Sequence, residues 1–161
     1  MPRTGVSNDA DMLMLRRATH EPDPWSGHVA LPGGRAEAGD ATLLDTAIRE
    51  TREETALELR GARVLGALDE LRPRTPSLPP VIVRPYVLTV AFAPPLVASA
   101  EVAELFWAPL SSLFDPARAR RTAVTTRAGI REVDAIDFEG RIIWGMTHHI
   151  LRTFESLLAP R

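Results

Sequence analysis

The chain contains no cysteine. Disulfide bonds, thiolate nucleophiles and cysteine-held zinc are therefore excluded. It lacks any apolar run long enough to span a membrane. Its opening stretch, MPRTGVSNDADMLMLRR, has no hydrophobic signal core. It has no excess of positive charge either. The net charge is −2, which leaves no basic stripe for nucleic acid. No P-loop lysine and no elbow serine is present. These absences predict a cytoplasmic enzyme with a small-molecule partner, no nucleic-acid partner and no membrane partner. The oligomeric state is not legible, and a possible homodimer is carried as an expectation.

What is present is ordinary globular material: 161 residues, 45% hydrophobic and 25% charged. One domain over residues 1–161 is expected, with residues 1–10 as a flexible tail or edge segment. Residues 12–17 (MLMLRR) read as a buried strand and 28–31 as a short one. Residues 41–55 read as a helix, with Asp40 as its N-cap. Residues 62–71 form a strand broken near Asp69-Glu70. Residues 72–80 (RPRTPSLPP) are a proline-rich loop. Residues 81–92 carry the strongest strand signal. A turn at 101–105 leads to a strand at 105–108 and a short helix at 109–114. Residues 118–127 are ambiguous. Two strands, 133–138 and 141–144, flank a turn at Glu139-Gly140, and an amphipathic helix over 146–158 closes the chain.

The chemistry concentrates in one segment. Gly33 and Gly34 form a turn ahead of the helix carrying Glu50, Glu53 and Glu54. At about 100° per residue, these carboxylates lie within roughly a quarter of the helix circumference and repel one another. A hard divalent cation removes that repulsion, and a carbonyl of the glycine turn can supply a further oxygen ligand. The other side of the helix is apolar or small: Leu44, Ala47, Ile48, Thr51 and Thr55. The competing reading of RETREET is a solvated face laced with Arg–Glu pairs; the glycine turn argues for metal. With no covalent nucleophile identified, water is the expected attacking group.

The segment resembles the signature box of the Nudix hydrolases: G, five residues, E, seven residues, REUXEEXGU, where U is bulky and apolar. Gly34, Arg49, Glu50, Glu53, Glu54 and Leu57 match it. Asp40 stands for the first Glu, eight residues rather than seven separate it from Arg49, Thr51 replaces a bulky residue and Ala56 replaces the late glycine. The longer spacing resembles the coenzyme A pyrophosphatase branch. So do Leu31-Pro32-Gly33-Gly34, Thr46-Ala47-Ile48-Arg49-Glu50, the upstream stretches Leu13-Met14-Leu15-Arg16-Arg17 and Gly27-His28-Val29-Ala30, and the tail Ile143-Trp144-Gly145-Met146-Thr147. Leu31 replaces that branch's Phe, and Trp25 stands where its members often carry His.

The resemblance implies an α/β fold: a Nudix-type α/β/α sandwich with a mixed central sheet and a catalytic strand-loop-helix motif. A further strand expected before residue 12 has little room. It implies Mg²⁺ or Mn²⁺ held by Glu50, Glu53, Glu54 and the carbonyl of Gly33 or Gly34, with Arg49 orienting a glutamate. A helix-surface pair of Arg49 with Asp45 or Glu53 is the plainer alternative. Glu53 is the first candidate for general base, Glu101 the second and Glu104 the third, and Glu54 is counted with the catalytic groups. Arg17, Arg72 and Arg74 are candidate phosphate contacts. The implied reaction is hydrolysis of a diphosphate linkage in a nucleoside diphosphate derivative. Coenzyme A or an acyl-CoA is the favoured substrate, giving 3′,5′-ADP and 4′-phosphopantetheine or its acyl form. ADP-ribose or another nucleoside-diphosphate-linked compound is the alternative within the class. A catalytically silent nucleotide sensor is the alternative outside it. His148 and His149, about 100° apart on a helix, do not make a metal pair.

Overall fold

The computed structural model describes residues 9–20, 25–73, 80–126 and 128–158. Its organising element is β1 (Asp11–Arg17), which lies between β2 (Val29–Ala30) and β5 (Val102–Pro109), antiparallel to both. Side chains alternate along a strand, and here both faces are covered. Met12 and Met14 face one core with Val29, Phe106, Ala108, Ile136, Phe138, Ile143 and Leu151. Leu13 faces a second core with Leu57, Leu59, Ile48, Leu88 and Trp107. A strand buried on both sides needs an unbroken apolar run, which is why MLML carries no polar alternation.

The first core is roofed by α3 (Gly145–Leu158) and the sheet β6-β7-β8 (Ala119–Thr126, Gly129–Phe138, Arg141–Trp144). The second is covered by α1 (Leu43–Thr55) and the hairpin β3-β4 (Arg63–Ala67, Tyr86–Thr89). A short helix, α2 (Leu110–Leu113), follows β5. The pairings described are all antiparallel. No helix among the described residues is long and apolar enough to cross a membrane.

Several elements differ from expectation, each for a local reason. Asp40 is not the cap of α1. Thr42 is: its hydroxyl accepts the Asp45 N–H at 3.2 Å, as an N-cap does, and donates to the Asp45 carboxylate. The strand expected over 81–92 is confined to β4. Pro85 has no N–H to give a ladder, and before it only the bridge Leu71↔Val83 forms. β5 begins three residues earlier than expected, and the ambiguous 118–127 stretch supplies β6. Residues 9 and 10 do not behave as a free tail: Asp9 accepts hydrogen bonds from the Ser111 N–H and hydroxyl, and the Ala10 carbonyl accepts the Leu110 N–H. Residues 1–8, and with them any earlier strand, lie outside the described residues.

Candidate metal and catalytic site

Threonines shape the packed side of α1. Thr46, Thr51 and Thr55 are buried, and the hydroxyls of Thr51 and Thr55 donate to the carbonyls of Ala47 and Thr51 at 2.7 and 2.6 Å. These back-bonds satisfy the polar atoms, so Thr51 can occupy the position where a bulky apolar residue was expected. The helix ends at Ala56, which is left-handed at φ 58° and donates its N–H to the Arg52 carbonyl.

The acidic face meets the glycine turn from above. Glu54 is only 5% exposed, and its Oε2 accepts the Gly33 N–H at 2.9 Å. Its Oε1 lies 3.9 Å from Arg17 Nη1. Burial pushes this carboxyl up to about 7; the Gly33 amide and Arg17 oppose the rise, while Glu50 and Glu101 add to it. Glu50 lies directly over Gly34. A Cβ at Gly34 would stand 2.4 Å from the Glu50 carboxyl carbon and 2.5 and 2.6 Å from its oxygens. Glycine is therefore required there by the closeness of the carboxylate.

Arg49 ties the loop before the helix to these acids. Its Nε and Nη2 donate to the two oxygens of Asp40 at 3.0 and 2.9 Å, and Nη2 also donates to the Arg35 carbonyl at 2.9 Å. Its Nη1 donates to Glu50 at 3.0 Å and to Glu53 at 3.1 Å. The Asp40 carboxyl is held well below the usual range, first by Arg49 and then by the Glu37 N–H. Asp40 is thus an anchor for arginine. The expected Arg49 pair with Glu53 is present, whereas Asp45 is engaged by Thr42 instead.

The remaining candidates separate. Glu53 is on the same helix face, with its side chain 52% exposed. Glu101 is exposed in the loop ahead of β5; its carbonyl accepts the Ala18 N–H at 2.8 Å, and its charge is felt at Glu54. Glu104 lies elsewhere. Neighbouring side chains of a strand point to opposite faces, and Arg16 and Arg17, where the β1–β5 register shifts, meet different surroundings. Arg17 reaches Glu54, while Arg16 Nε lies 3.3 Å from Glu104. Arg141 also binds Glu104 through Nε at 3.1 Å and through Nη2, holding its carboxyl below the usual range. An acid clamped by two guanidiniums is a poor base, which removes the third candidate. Arg72 is exposed and 3.8 Å from Glu70. Arg74 lies outside the described residues.

Sequence reasoning missed a cleft of about 490 Å³, walled by Arg16, His28, Glu104, Thr122, Arg141 and Trp144 among others. The His28 and Trp144 rings meet edge to face at 4.8 Å, and the Thr147 hydroxyl donates to the Val29 carbonyl at 3.2 Å. The upstream stretch and the tail noted in the sequence are therefore in physical contact. Pairing Arg16 with Glu104 on facing strands was the available signal, but it needed the strand register.

Among the described residues, no three carboxylates or histidines already converge as a cation cage. The donor chemistry nonetheless suits a hard divalent ion: all the groups are oxygens, two flank the glycine turn, and one is buried with its carboxyl pushed up by that burial. The arrangement can hold a cation beside a backbone turn, with Arg17 next to it.

A family model described as NUDIX domain matches residues 4–128. NudL of Pectobacterium atrosepticum, described as an uncharacterized Nudix hydrolase, is 29% identical over 160 residues, covering 97% of this chain and 80% of that one. NudL of Salmonella paratyphi B is 33% identical over 142 residues, covering 88% and 71%. An uncharacterized protein of Schizosaccharomyces pombe is 32% identical over 126 residues; the match takes in 75% of this chain but only 38% of that protein. Among solved structures, a C. elegans Ap4A hydrolase in a binary complex superposes with a TM-score of 0.59 at 18% identity, covering 92% of this chain and 85% of that one. A MutT/nudix family protein of Enterococcus faecalis gives 0.55 at 20% identity, covering 93% and 56%. These likenesses carry the α/β/α fold expected from the sequence.

Proposed function

The chain belongs to the Nudix family, and from that premise we propose that it hydrolyses a diphosphate linkage in a nucleoside diphosphate derivative, with Mg²⁺ or Mn²⁺ as cofactor and residues 1–161 acting as one domain. The observation that carries this reading is the buried Glu54 carboxylate on the Gly33 amide, with Glu50 over Gly34. Glu50, Glu53, Glu54 and the carbonyl of Gly33 or Gly34 would hold the ion. When bound, it supplies Lewis-acid polarisation of a phosphoryl oxygen and eases deprotonation of an attacking water.

The chain's own groups do the rest. Arg49 holds Glu50 and Glu53 in register with the loop. Arg17, beside Glu54, is positioned to steady an anionic phosphate of the substrate. Water adds to one phosphorus, the bridging oxygen departs with the other, and the water's proton passes to a carboxylate. Glu53 is the favoured acceptor, being on the acidic face and solvated, and Glu101 is the second. Two phosphorylated products result.

Coenzyme A or an acyl-CoA is the favoured substrate. The reading is supported by the eight-residue spacing and by the meeting of His28 with Trp144 and of Val29 with Thr147, which couples both outlying parts of that branch's pattern. The cleft at this junction has room for one of the two substrate moieties. Arg72 and Arg74 are kept as contacts for a 3′-phosphate. Phosphorylated products from coenzyme A, ADP-ribose and NADH, measured side by side with Mg²⁺ and Mn²⁺, test the proposal. Release of 3′,5′-ADP from coenzyme A supports it. Preference for ADP-ribose redirects the substrate claim. No turnover of any of them leaves a nucleotide-sensing domain.

A further inference from the structure

One wall of the cleft is an arginine held flat. Arg141 Nε and Nη2 donate to Glu104, Nε at 3.1 Å, and Nη1 donates to Glu139 at 3.4 Å. All three guanidinium nitrogens are thus committed to carboxylates. One face of the plane is taken as well: its central carbon lies 4.5 Å from the centroid of the Phe106 ring. Phe106 is in turn stacked on Phe138, with centroids 5.8 Å apart and 10° between the planes. The Arg141 side chain is nonetheless 24% exposed and lines the cleft. What it has left to offer there is chiefly its second face. Arg16 braces Glu104 from the other side through Nε at 3.3 Å and stays half exposed. Trp144 adds another flat wall, its ring set against His28.

We propose that this cleft takes the nucleotide half of the substrate, with its base stacked on the free face of Arg141, and leaves the pantetheine or acyl arm outside. The inference rests on the diphosphate-hydrolase reading and names which half is bound here. A base is planar and carries hydrogen-bonding atoms on its edges, and bases stack on guanidinium planes as they do on aromatic rings. The pantetheine arm is a flexible amide-linked chain with no ring. Pressed against Arg16, Glu104, Glu139 and Arg141, an acyl chain would strip water from ionised groups and return no hydrogen bond. Arg141 is therefore the specificity-determining residue, and Glu104 and Phe106 are positioning residues that fix its plane. Lysine would not serve in its place, since an ammonium is a point charge without a face.

Tryptophan fluorescence reads the cleft without turnover. AMP, whose base is common to coenzyme A and ADP-ribose, and 4′-phosphopantetheine are titrated separately into the full chain in EDTA. AMP should quench the emission, Trp144→Phe should remove most of that change, and 4′-phosphopantetheine should leave the emission unmoved. Arg141→Lys keeps the charge and loses the plane, and should weaken AMP binding about tenfold or more. Thr122→Phe narrows the cleft from β6, leaves the ion pairs in place and should weaken AMP binding by at least as much. Melting curves verify folding, and if Arg141→Lys does not fold, Thr122→Phe alone decides. No response to AMP overturns the proposal even where coenzyme A is turned over. So does AMP binding indifferent to both variants, or 4′-phosphopantetheine binding that Thr122→Phe abolishes. AMP binding that obeys the variants, in a chain that cleaves no diphosphate, upholds the nucleotide cleft and defeats the hydrolase reading instead.

Discussion

Replacing Gly34 by alanine separates the site's function from the fold's stability. The added Cβ would sit 2.4 Å from the Glu50 carboxyl carbon. Ordinary carbon contacts are about 3.5 Å, so one group must give by about 1 Å. The turn backbone is the stiffer party, because the Gly33 N–H beside it is bound to Glu54 at 2.9 Å. Glu50 is the far end of a flexible side chain and will swing away. Among the described residues it is tied by the 3.0 Å bond from Arg49, and Arg49 keeps Asp40 and Glu53 as partners without it. The loss in folding stability should stay within about 1 kcal/mol, in line with a surface change. The loss in catalysis should be far larger, since a 1 Å displacement of an orienting group costs on the order of 100-fold. Steady-state kinetics on the best substrate, titrated with Mg²⁺ and paired with a melting curve, checks both halves. A variant with wild-type kcat and wild-type Mg²⁺ dependence would refute the placement of Glu50 at the reaction centre. One that fails to fold would refute the claim that the side chain yields first.

Glu54→Gln keeps the shape and removes the charge, so the fold should persist while most activity goes; near wild-type turnover at saturating Mg²⁺ contradicts the ligand assignment. The same residue sets a pH dependence in the metal-free protein. Its folded pKa of about 7 lies above the ordinary 4.5, so the folded state holds a proton that the unfolded state has released. Stability should therefore fall as pH rises from about 4.5 to 7, by on the order of 3 kcal/mol, and melting curves in EDTA should show this slope for the wild type and its loss in Glu54→Gln. Ala56→Gly relieves an alanine at φ 58° and should stabilise by about 1 kcal/mol, a rise in Tm of about 2–4 °C; no rise means the left-handed cap is not strained. Arg49→Lys loses the two-pronged bond to Asp40 and should lower Mg²⁺ affinity or kcat about 10–100-fold, and unchanged kinetics would remove the positioning role.

The acidic helix and glycine turn were legible because their signal is local. Spacing puts Glu50, Glu53 and Glu54 on one face, and glycines mark the turn. Asp40 misled because two residues within three positions could cap the helix, and only the structure shows that Arg49 claims one of them. β5 was read as starting late because Val102-Ala103-Glu104 looks like loop, and the pairing of Glu104 with Arg16 is a fact of strand register. The cleft was invisible for a related reason. Its walls come from β1, β5, β6 and β8, brought together by packing between segments more than a hundred positions apart.

The clasp between Thr147 and Val29, and the ring of Trp144 on His28, have a mechanical consequence. The short strand that feeds the glycine turn is held by side chains more than a hundred positions further along the chain. Loosening the start of α3 would therefore loosen the approach to the turn, and a substitution there would be felt at a distance from the acids it never touches.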